Sequence, residues 1–581
     1  MVVEYSNLEK CDRQIILKDS LAKWCGSKDY CPILQKILLN RGLTHESLIN
    51  YQLKGLLHYQ GLKGMNEAVS LLLKHLDLKS SVLIIGDYDV DGATSTAVAI
   101  RGLQILSPDI TVNFLVPNRF EFGYGLTVPL VHEAMKLSPD LIITVDNGIV
   151  AHEASDLVRQ KGVDLLITDH HLSDGKLPNC NALINPNQPG DTFASKHLAG
   201  VGVMFYTLLA LRAELRKVKN MSNYGSELVS LLDFVALGTI ADCVVLDENN
   251  RILVSAGLAA IRSGRAHKGI ESLLNIDRRN PSMISAQDLA FGLAPKLNAA
   301  GRMDDMSLGI QCLLSNDLTE SMRLANHLKK QNDHRKVVEL AMRKEAENQL
   351  NNSDIFCDQE SGLALYNHLW HEGVVGLIAS KVKDKYQLPT IAFAQSKNGL
   401  LKGSARSLPG VHIREVLSRV DQKKPGLMKG YGGHAMAAGL SIATEDFSVF
   451  RSLFNEVLEK EYNISHHQEG WVIDAWLEPH DCKLSLVESI ESLGPFGQGF
   501  PRPIFACDMN LAACREMGES HLRMQWVKSN TQLEAVWFNT DHKKLDFHVG
   551  NDYSLVFELN INFYKGIRSL QLILHDVKTA E

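Results

Sequence analysis

Between residues 80 and 185, short apolar runs alternate with longer mixed segments. The runs at 82–85, 111–116, 141–145 and 165–168 are rich in Val, Ile and Leu, which predicts buried strands. The segments between them, near 94–106, 129–137 and 152–161, predict helices. Alternating βαβ units of this kind imply a parallel sheet with helices on both faces. Ligands of such sheets bind at the carboxyl ends of the strands.

The pattern changes on either side. Residues 1 to about 75 read as helical, with Leu34, Ile37 and Leu38 and then Leu53, Leu56 and Leu57 spaced as a core face requires, forming an N-terminal appendage packed on the next domain. A mainly helical section runs to about 310. Residues 317 to about 350 are strongly polar and full of helix formers, which predicts a long helix joining two lobes with a groove between them. Its Lys329, Lys330, His334, Arg335 and Lys336 face solvent or a charged ligand. A second, smaller α/β lobe follows, where strands at 362–366 and 388–393 bracket a helix at 374–386. From about 465 the period becomes two: Leu555, Phe557, Leu559, Ile561 and Phe563 share one face, and Leu570, Leu572 and Leu574 repeat the rhythm. That is an antiparallel domain, most simply a small barrel. Trp526, Trp537, Phe538 and Tyr564 could stack bases, although most are expected in the barrel core. The expected boundaries are 1–75, 76–316, 317–354, 355–460 and 461–581.

Composition narrows the class. At 581 residues the chain needs several cores. With 45% hydrophobic and 22% charged residues it has an ordinary soluble balance. The net charge of −7 argues against a generally basic nucleic-acid coat but leaves room for a local basic groove. No signal peptide and no membrane-spanning run are visible. The ten cysteines include no CxxC pair, which suits reduced thiols in a cytoplasmic protein and gives no zinc site.

The chemistry sits at the strand ends. The first strand runs into Gly86-Asp87-Tyr88-Asp89-Val90-Asp91-Gly92, the third into Asp146-Asn147-Gly148 and the fourth into Asp169-His170-His171. One acidic strand end is a solvated turn; three on the same rim make a metal site. Asp242, after an apolar segment, is either a helix cap or a further carboxylate. Arg302 follows the small residues Ala299, Ala300 and Gly301, which let backbone approach a ligand. In the second lobe, Gly403-Ser404-Ala405-Arg406-Ser407 offers a guanidinium between two hydroxyls. Residues 430–439 read as a glycine-rich turn opening a small-residue helix, with backbone amides that could cradle a phosphate beside His434. Carboxylates with one imidazole suit Mn2+ or Mg2+, and two such ions acidify a water between them. There is no Walker A loop, and no His-Glu pair has the second histidine of a zincin.

Together these motifs, with 116–125 and 238–242, resemble the DHH phosphoesterase superfamily and, within it, the bacterial RecJ family of single-stranded-DNA exonucleases. The resemblance covers residue 50 or so to the C-terminus. It implies a parallel-sheet DHH lobe, a connecting helix, a DHHA1-like lobe and an OB-fold barrel. It also implies a centre of two divalent metal ions, Mn2+ or Mg2+, bound by Asp89, Asp91, Asp146, His170 and Asp242, with Asp146 bridging and Asp87 supporting. His171 would face the scissile phosphate, acting with Asp87 and Arg302 in catalysis. Arg302, Ser404, Arg406, Gly433 and His434 would grip substrate phosphates, and Arg119 would contact the strand near its 5′ end. The implied activity is processive 5′→3′ degradation of single-stranded DNA to nucleoside 5′-monophosphates in recombination and repair, by a cytoplasmic monomer working with a single-strand-binding protein and a helicase. The alternatives are a pyrophosphatase, an oligonucleotide or cyclic-dinucleotide phosphodiesterase of the same superfamily, and a non-catalytic single-strand-binding scaffold. The C-terminal barrel disfavours a small substrate, and the intact acidic ligands disfavour a scaffold.

Overall fold

The computed structural model describes residues 14–18, 20, 22–27, 30–118, 121–352, 360–396, 399–462, 470–518, 521–538, 540, 547–564 and 567–579. Its centre is a five-stranded, all-parallel sheet in the order Thr111–Leu115, Ser81–Ile85, Leu141–Val145, Asp164–Thr168, Ala182–Ile184. Side chains of a strand alternate between faces. Val82, Ile84, Leu141 and Ile143 enter one core, while Leu83, Ile85, Ile142 and Ile167 enter another. The larger core lies under helices Val90–Leu106, Gly200–Lys219 and Leu232–Ala241, and helices Val128–Met135 and His152–Gln160 cover the other face. Burial on both faces explains the unbroken apolar strands Ser81–Ile85, Leu141–Val145 and Asp164–Thr168, whereas edge strand Thr111–Leu115 is only partly covered.

Helix Leu318–Asn352 leaves this lobe for the second one. Leu324, Ala325 and Leu328 belong to the first core, and Met342, Ala346 and Leu350 to a core of the second lobe. The second lobe holds a mixed sheet in the order Met428–Gly433, Ala437–Ala443, Leu400–Arg406, Thr390–Gln395, Leu363–Asn367, with helix Val375–Tyr386 between its two parallel strands. The expected helix after the glycine-rich turn is therefore absent: residues 428–443 form an antiparallel hairpin. Ala438, Leu440 and Ile442 are buried at a period of two, and the small residues around them had masked that rhythm.

Strands Phe505–Met517, His521–Lys528, Thr531–Trp537, Asp552–Tyr564 and Ile567–Thr579 close into a five-stranded barrel, because the first also pairs with the fourth and the third with the fifth. Trp526 is fully buried in it, Trp537 is half-buried and Phe538 is exposed; the side chain of Tyr564 lies outside the described residues. The barrel shares a core with the first lobe, and Arg251 of that lobe stacks over Phe500 at 4.2 Å. The N-terminal segment departs from the all-helical expectation. Strand Ile15–Leu17 pairs in parallel with Trp471–Ile473, and Arg41 makes a paired bond to Asp474 at 2.7 and 3.3 Å, so the segment ties to the barrel as well. Leu53 and Leu57 sit in or beside short 3-10 turns and are 40% and 37% exposed, rather than on a helix face. No helix among the described residues is long and apolar enough to cross a membrane.

Candidate metal centre and active site

Helix Val90–Leu106 starts four residues earlier than its hydrophobic pattern predicts, because Asp89 caps it by accepting from Gly92 N at 3.0 Å. Asp91 thereby falls in the first turn and is buried. Its two oxygens accept from Gly200 N at 2.6 Å and Val201 N at 3.0 Å, the opening amides of helix Gly200–Lys219. An anion at that helix end is favoured by both the free amides and the dipole. Asp146 ends its strand in the left-handed region, at φ 62°. Asn147 fixes this turn by donating to Ile85 O and Val145 O, which joins two strand ends. Gly200 must lack a side chain here: a Cβ would stand 2.7 Å from Asp146 Oδ1. Asp242 follows the last turn of helix Leu232–Ala241.

These elements bring the acids and histidines together. Asp87, Asp89 and Asp146 form one group with ligand atoms within 4.8 Å of one another; Asp91, His170 and Asp242 form a second, and Asp146, His170 and His171 a third. His170 Nε2 lies 3.1 Å from Asp146 Oδ1, 3.5 Å from Asp242 Oδ2 and 4.0 Å from Asp91 Oδ2. Asp87, which the sequence reading set behind the ligands, stands level with Asp89, since it leaves the adjacent strand end directly.

Burial, then the neighbouring Asp89, pushes the Asp91 carboxyl up to about 7. Burial and then the Asp91 charge push Asp146 and Asp242 well above the usual carboxylate range. Burial, then the charge of His171, holds His170 down to about 3. Asp146 Oδ1 and His170 Nε2 are both buried without a hydrogen-bond partner. A set of oxygens with one neutral imidazole, electrostatically frustrated and with its central atoms unsatisfied, fits hard divalent cations.

His171 is governed differently. Burial alone would lower its pKa, but the hydrogen bond and charge of Asp169 outweigh this and raise it to about 9. Asp169 Oδ1 meets His171 Nδ1 at 2.8 Å and accepts from the backbone of His170 and His171, while Oδ2 accepts from Ile149 N. Tyr124 reaches the other ring nitrogen at 3.0 Å. Asn185 and Asn187 donate to the carbonyls of His171 and His170. Tyr124, Asn185 and Asn187 carry no signal in the local sequence pattern that marks them as site residues. Only the glycines flanking Tyr124, both at positive φ, hinted at a shaped turn.

Arg302 sits near the end of helix Ala294–Met303, where Gly301 lies against Tyr88 O and the Arg302 guanidinium reaches towards Gly373 O at 3.5 Å. It therefore joins the acidic loop to the second lobe. Arg406 bonds to Ser404 Oγ at 3.0 Å beside the first turn of helix Val375–Tyr386. Gly433, at φ 141°, ends a strand, and His434 follows it; burial, then the charge of His171, lowers the His434 pKa. Arg119 lies outside the described residues.

Three family models match: the DHH family, N-terminal domain over residues 81–239, the DHHA1 domain over 359–460 and the RecJ OB domain over 473–576. The single-stranded-DNA-specific exonuclease RecJ of Dickeya dadantii is 40% identical over 555 residues, spanning 93% of this chain and 95% of the relative. The chain belongs to the RecJ family. RecJ of Escherichia coli is likewise 40% identical, over 94% of this chain and 96% of its own. Among solved structures, RecJ from Thermus thermophilus in complex with Mn2+ superposes with a TM-score of 0.81 at 25% identity, covering 98% of this chain and 80% of that one. The order of lobe, connecting helix, second lobe and barrel is thus that of a RecJ protein.

Proposed function

We propose that this chain is a metal-dependent exonuclease of the RecJ family that degrades single-stranded DNA processively from the 5′ end and releases nucleoside 5′-monophosphates. The observation that supports this reading is the cluster of carboxylates and His170 at the strand ends, whose groups of ligand atoms lie within 4.8 Å of one another. Asp87, Asp89 and Asp146 would hold one divalent cation, and Asp91, Asp146, His170 and Asp242 the other. Such ions, Mn2+ or Mg2+, acidify a water and take up charge on the leaving oxygen when bound.

The chain's own residues do the rest. Asp169 keeps His171 charged and aimed, so that it donates to an oxygen of the scissile phosphate. Arg302, with Ser404, Arg406, the Gly433 turn and His434, neutralises the phosphates and sets the strand in line; Arg119 would meet its 5′ end. The cleft between lobes admits one strand and excludes a duplex by width. The barrel extends the strand path. The division at 76–316, 317–354, 355–460 and 461–581, after an N-terminal appendage, belongs to the same reading. So do a cytoplasmic location, a monomer, a role in recombination and repair, and cooperation with a single-strand-binding protein and a helicase.

Digestion of end-labelled single and double strands with Mn2+, Mg2+ or chelator tests this. A 5′ label released first as mononucleotide, from single strands only and only with metal, is expected. Preferred cleavage of dinucleotides over long strands would overturn it in favour of an oligonucleotide phosphodiesterase, and unchanged activity in Asp146→Ala would remove the metal assignment.

A further inference from the structure

Residues 169–171 leave the first sheet just past strand Asp164–Thr168, where Asp169 N makes the last bond of the ladder, to Ile184 O at 3.0 Å. The peptide groups of His170 and His171 must therefore be satisfied by other means. Asp169 Oδ1 accepts from both amides, at 2.7 and 3.1 Å. Asn187 Nδ2 donates to His170 O at 2.6 Å, and Asn185 Nδ2 donates to His171 O at 2.9 Å. Among the described residues, no backbone group pairs with the peptide groups of either histidine. The asparagines arrive there by register. Thr168 pairs with Ile184, so the chain after Ile184 runs alongside the chain after Thr168. Pro186 restricts the backbone between the two asparagines. Asn187 N donates to Asn185 Oδ1 at 2.7 Å and Gln188 N to Asn185 O at 3.1 Å, which closes a turn. Lys196 Nζ donates to Pro186 O of the same turn at 2.7 Å. Asn185 is buried and Asn187 half-buried.

A buried turn with side-chain amides can serve the fold alone. Gln188, the next residue, does so: its Nε2 donates to Lys63 O and Leu183 O and stitches the turn to the rest of the lobe. Asn185 and Asn187 instead end on the peptide groups that carry the two histidines of the site. We infer that they are positioning residues: Asn187 sets the His170 ring for the cation, and Asn185 sets the His171 ring for the scissile phosphate. The inference rests on the exonuclease reading above and divides the labour within its site. A ring pivots on its backbone, so a shift of the His170 peptide moves Nε2 against Asp146 Oδ1 at 3.1 Å and Asp242 Oδ2 at 3.5 Å. Removing a group that orients a metal ligand costs ~10–100-fold in metal affinity. His171 is not among the residues assigned to the cations, so its displacement falls on turnover instead.

The test is Mn2+ titration of the full chain by calorimetry, paired with steady-state digestion of a long single strand. Asn187→Leu keeps the size of the side chain and removes the donor. It should weaken Mn2+ binding by ~10–100-fold, while kcat recovers at saturating Mn2+ because the His171 carbonyl stays held. Asn185→Ala frees the His171 carbonyl and also the Asn187 amide. It should weaken Mn2+ binding as well, and lower kcat by ~100-fold even at saturating Mn2+, with KM for the strand near that of the wild type. Gln188→Ala loosens the same turn without touching either histidine and should leave Mn2+ affinity intact. Wild-type Mn2+ affinity in Asn187→Leu overturns the inference. An equal loss in Gln188→Ala also overturns it, since the order of the turn would then be the cause. If the buried Asn185→Ala fails to fold, Asn187→Leu and Gln188→Ala still decide the case. Calorimetry needs no turnover, so a wild-type chain that binds Mn2+ but cleaves no strand would sink the exonuclease reading alone.

Discussion

Gly200→Ala puts the construction of the metal centre to the test without touching a candidate ligand. The added Cβ would lie 2.6 Å from Asp146 Cβ, 2.7 Å from its Oδ1 and 2.9 Å from its Cα. Carbon atoms pack at ~3.5–4.0 Å, so the start of helix Gly200–Lys219 must withdraw by roughly 1 Å. The Gly200 N to Asp91 Oδ2 bond, now 2.6 Å, would then stretch beyond hydrogen-bonding range. Overpacking costs ~1–3 kcal/mol and the lost bond to a carboxylate ~1.5–3 kcal/mol. For a cooperative unit of this size that is a fall of roughly 5–24 °C in the melting temperature. Moving Asp91 or Asp146 by ~1 Å should also cost ~100-fold in turnover. Melting followed by circular dichroism without metal, Mn2+ titration by calorimetry and single-turnover digestion of a labelled strand read the three consequences separately. Gly202→Ala is the control on the same helix, since the nearest atom to its Cβ is a terminal methyl of Leu198, at 3.1 Å. Wild-type melting and wild-type Mn2+ affinity in Gly200→Ala would refute the idea that this glycine sets the distance between Asp91 and Asp146.

Four further outcomes are expected. Asp169→Asn removes the carboxylate charge beside His171 and leaves an amide NH2 against either Ile149 N or the pair of His170 N and His171 N with the His171 ring, so turnover should drop by ~100-fold or more while the melting temperature changes far less than turnover; near-normal turnover would show that His171 needs no such partner. Saturating Mn2+ at ~100 times its dissociation constant should stabilise the folded chain by ~2.7 kcal/mol, and Asp146→Asn should abolish that shift; a melting curve indifferent to Mn2+ in the wild type would contradict the metal assignment. Arg41 and Asp474 are nearly buried together, so Asp474→Ala should cost ~3–5 kcal/mol and expose the N-terminal segment to limited proteolysis, whereas uncut protein under those conditions would argue that the strand pairing alone holds it. Asp164 resists protonation in the fold: burial opposes this, but Lys74, His75 and Arg159 outweigh it and hold its carboxyl well below the usual range. Its contribution is therefore fully present above the unfolded carboxylate pKa of ~3.9 and is lost as pH falls towards the folded value; the stability gap between wild type and Asp164→Asn should shrink from pH 7 to pH 3, and a constant gap would be inconsistent with this.

The catalytic sheet was legible because its central strands are buried on both faces, so apolar runs stand out and the acids after them mark the carboxyl edge. The hairpin at 428–443 was not. Glycine and alanine carry little periodic signal, and buried Ala438, Leu440 and Ile442 are outnumbered by small neighbours. The start of helix Val90–Leu106 was hidden for a related reason, since its first turn holds Asp91 and Gly92, which propensity assigns to a loop. Asp87 could be named but not ranked: its alignment with Asp89 depends on how the chain leaves the strand, which residue types do not encode. Tyr124, Asn185, Asn187 and Gly200 act through contacts with residues distant in sequence, or through backbone, and local pattern is silent on both.

The distribution of hydrogen bonds in the site separates holders from binders. Asp89 Oδ1 caps a helix, both oxygens of Asp91 rest on helix amides, and both oxygens of Asp169 are engaged. Those bonds fix the side chains before any cation arrives, which reduces the reorganisation that binding would otherwise cost. Asp146 Oδ1 and His170 Nε2, in contrast, are buried and unsatisfied, and an unpaired buried polar atom costs ~1–3 kcal/mol. The fold holds two such atoms 3.1 Å apart, where one cation would relieve both. Asp146 also belongs both to the group with Asp87 and Asp89 and to the group with His170 and His171. Loss of Asp87 or Asp242 should therefore weaken one ion, whereas loss of Asp146, a single carboxylate held at a left-handed turn, should weaken both.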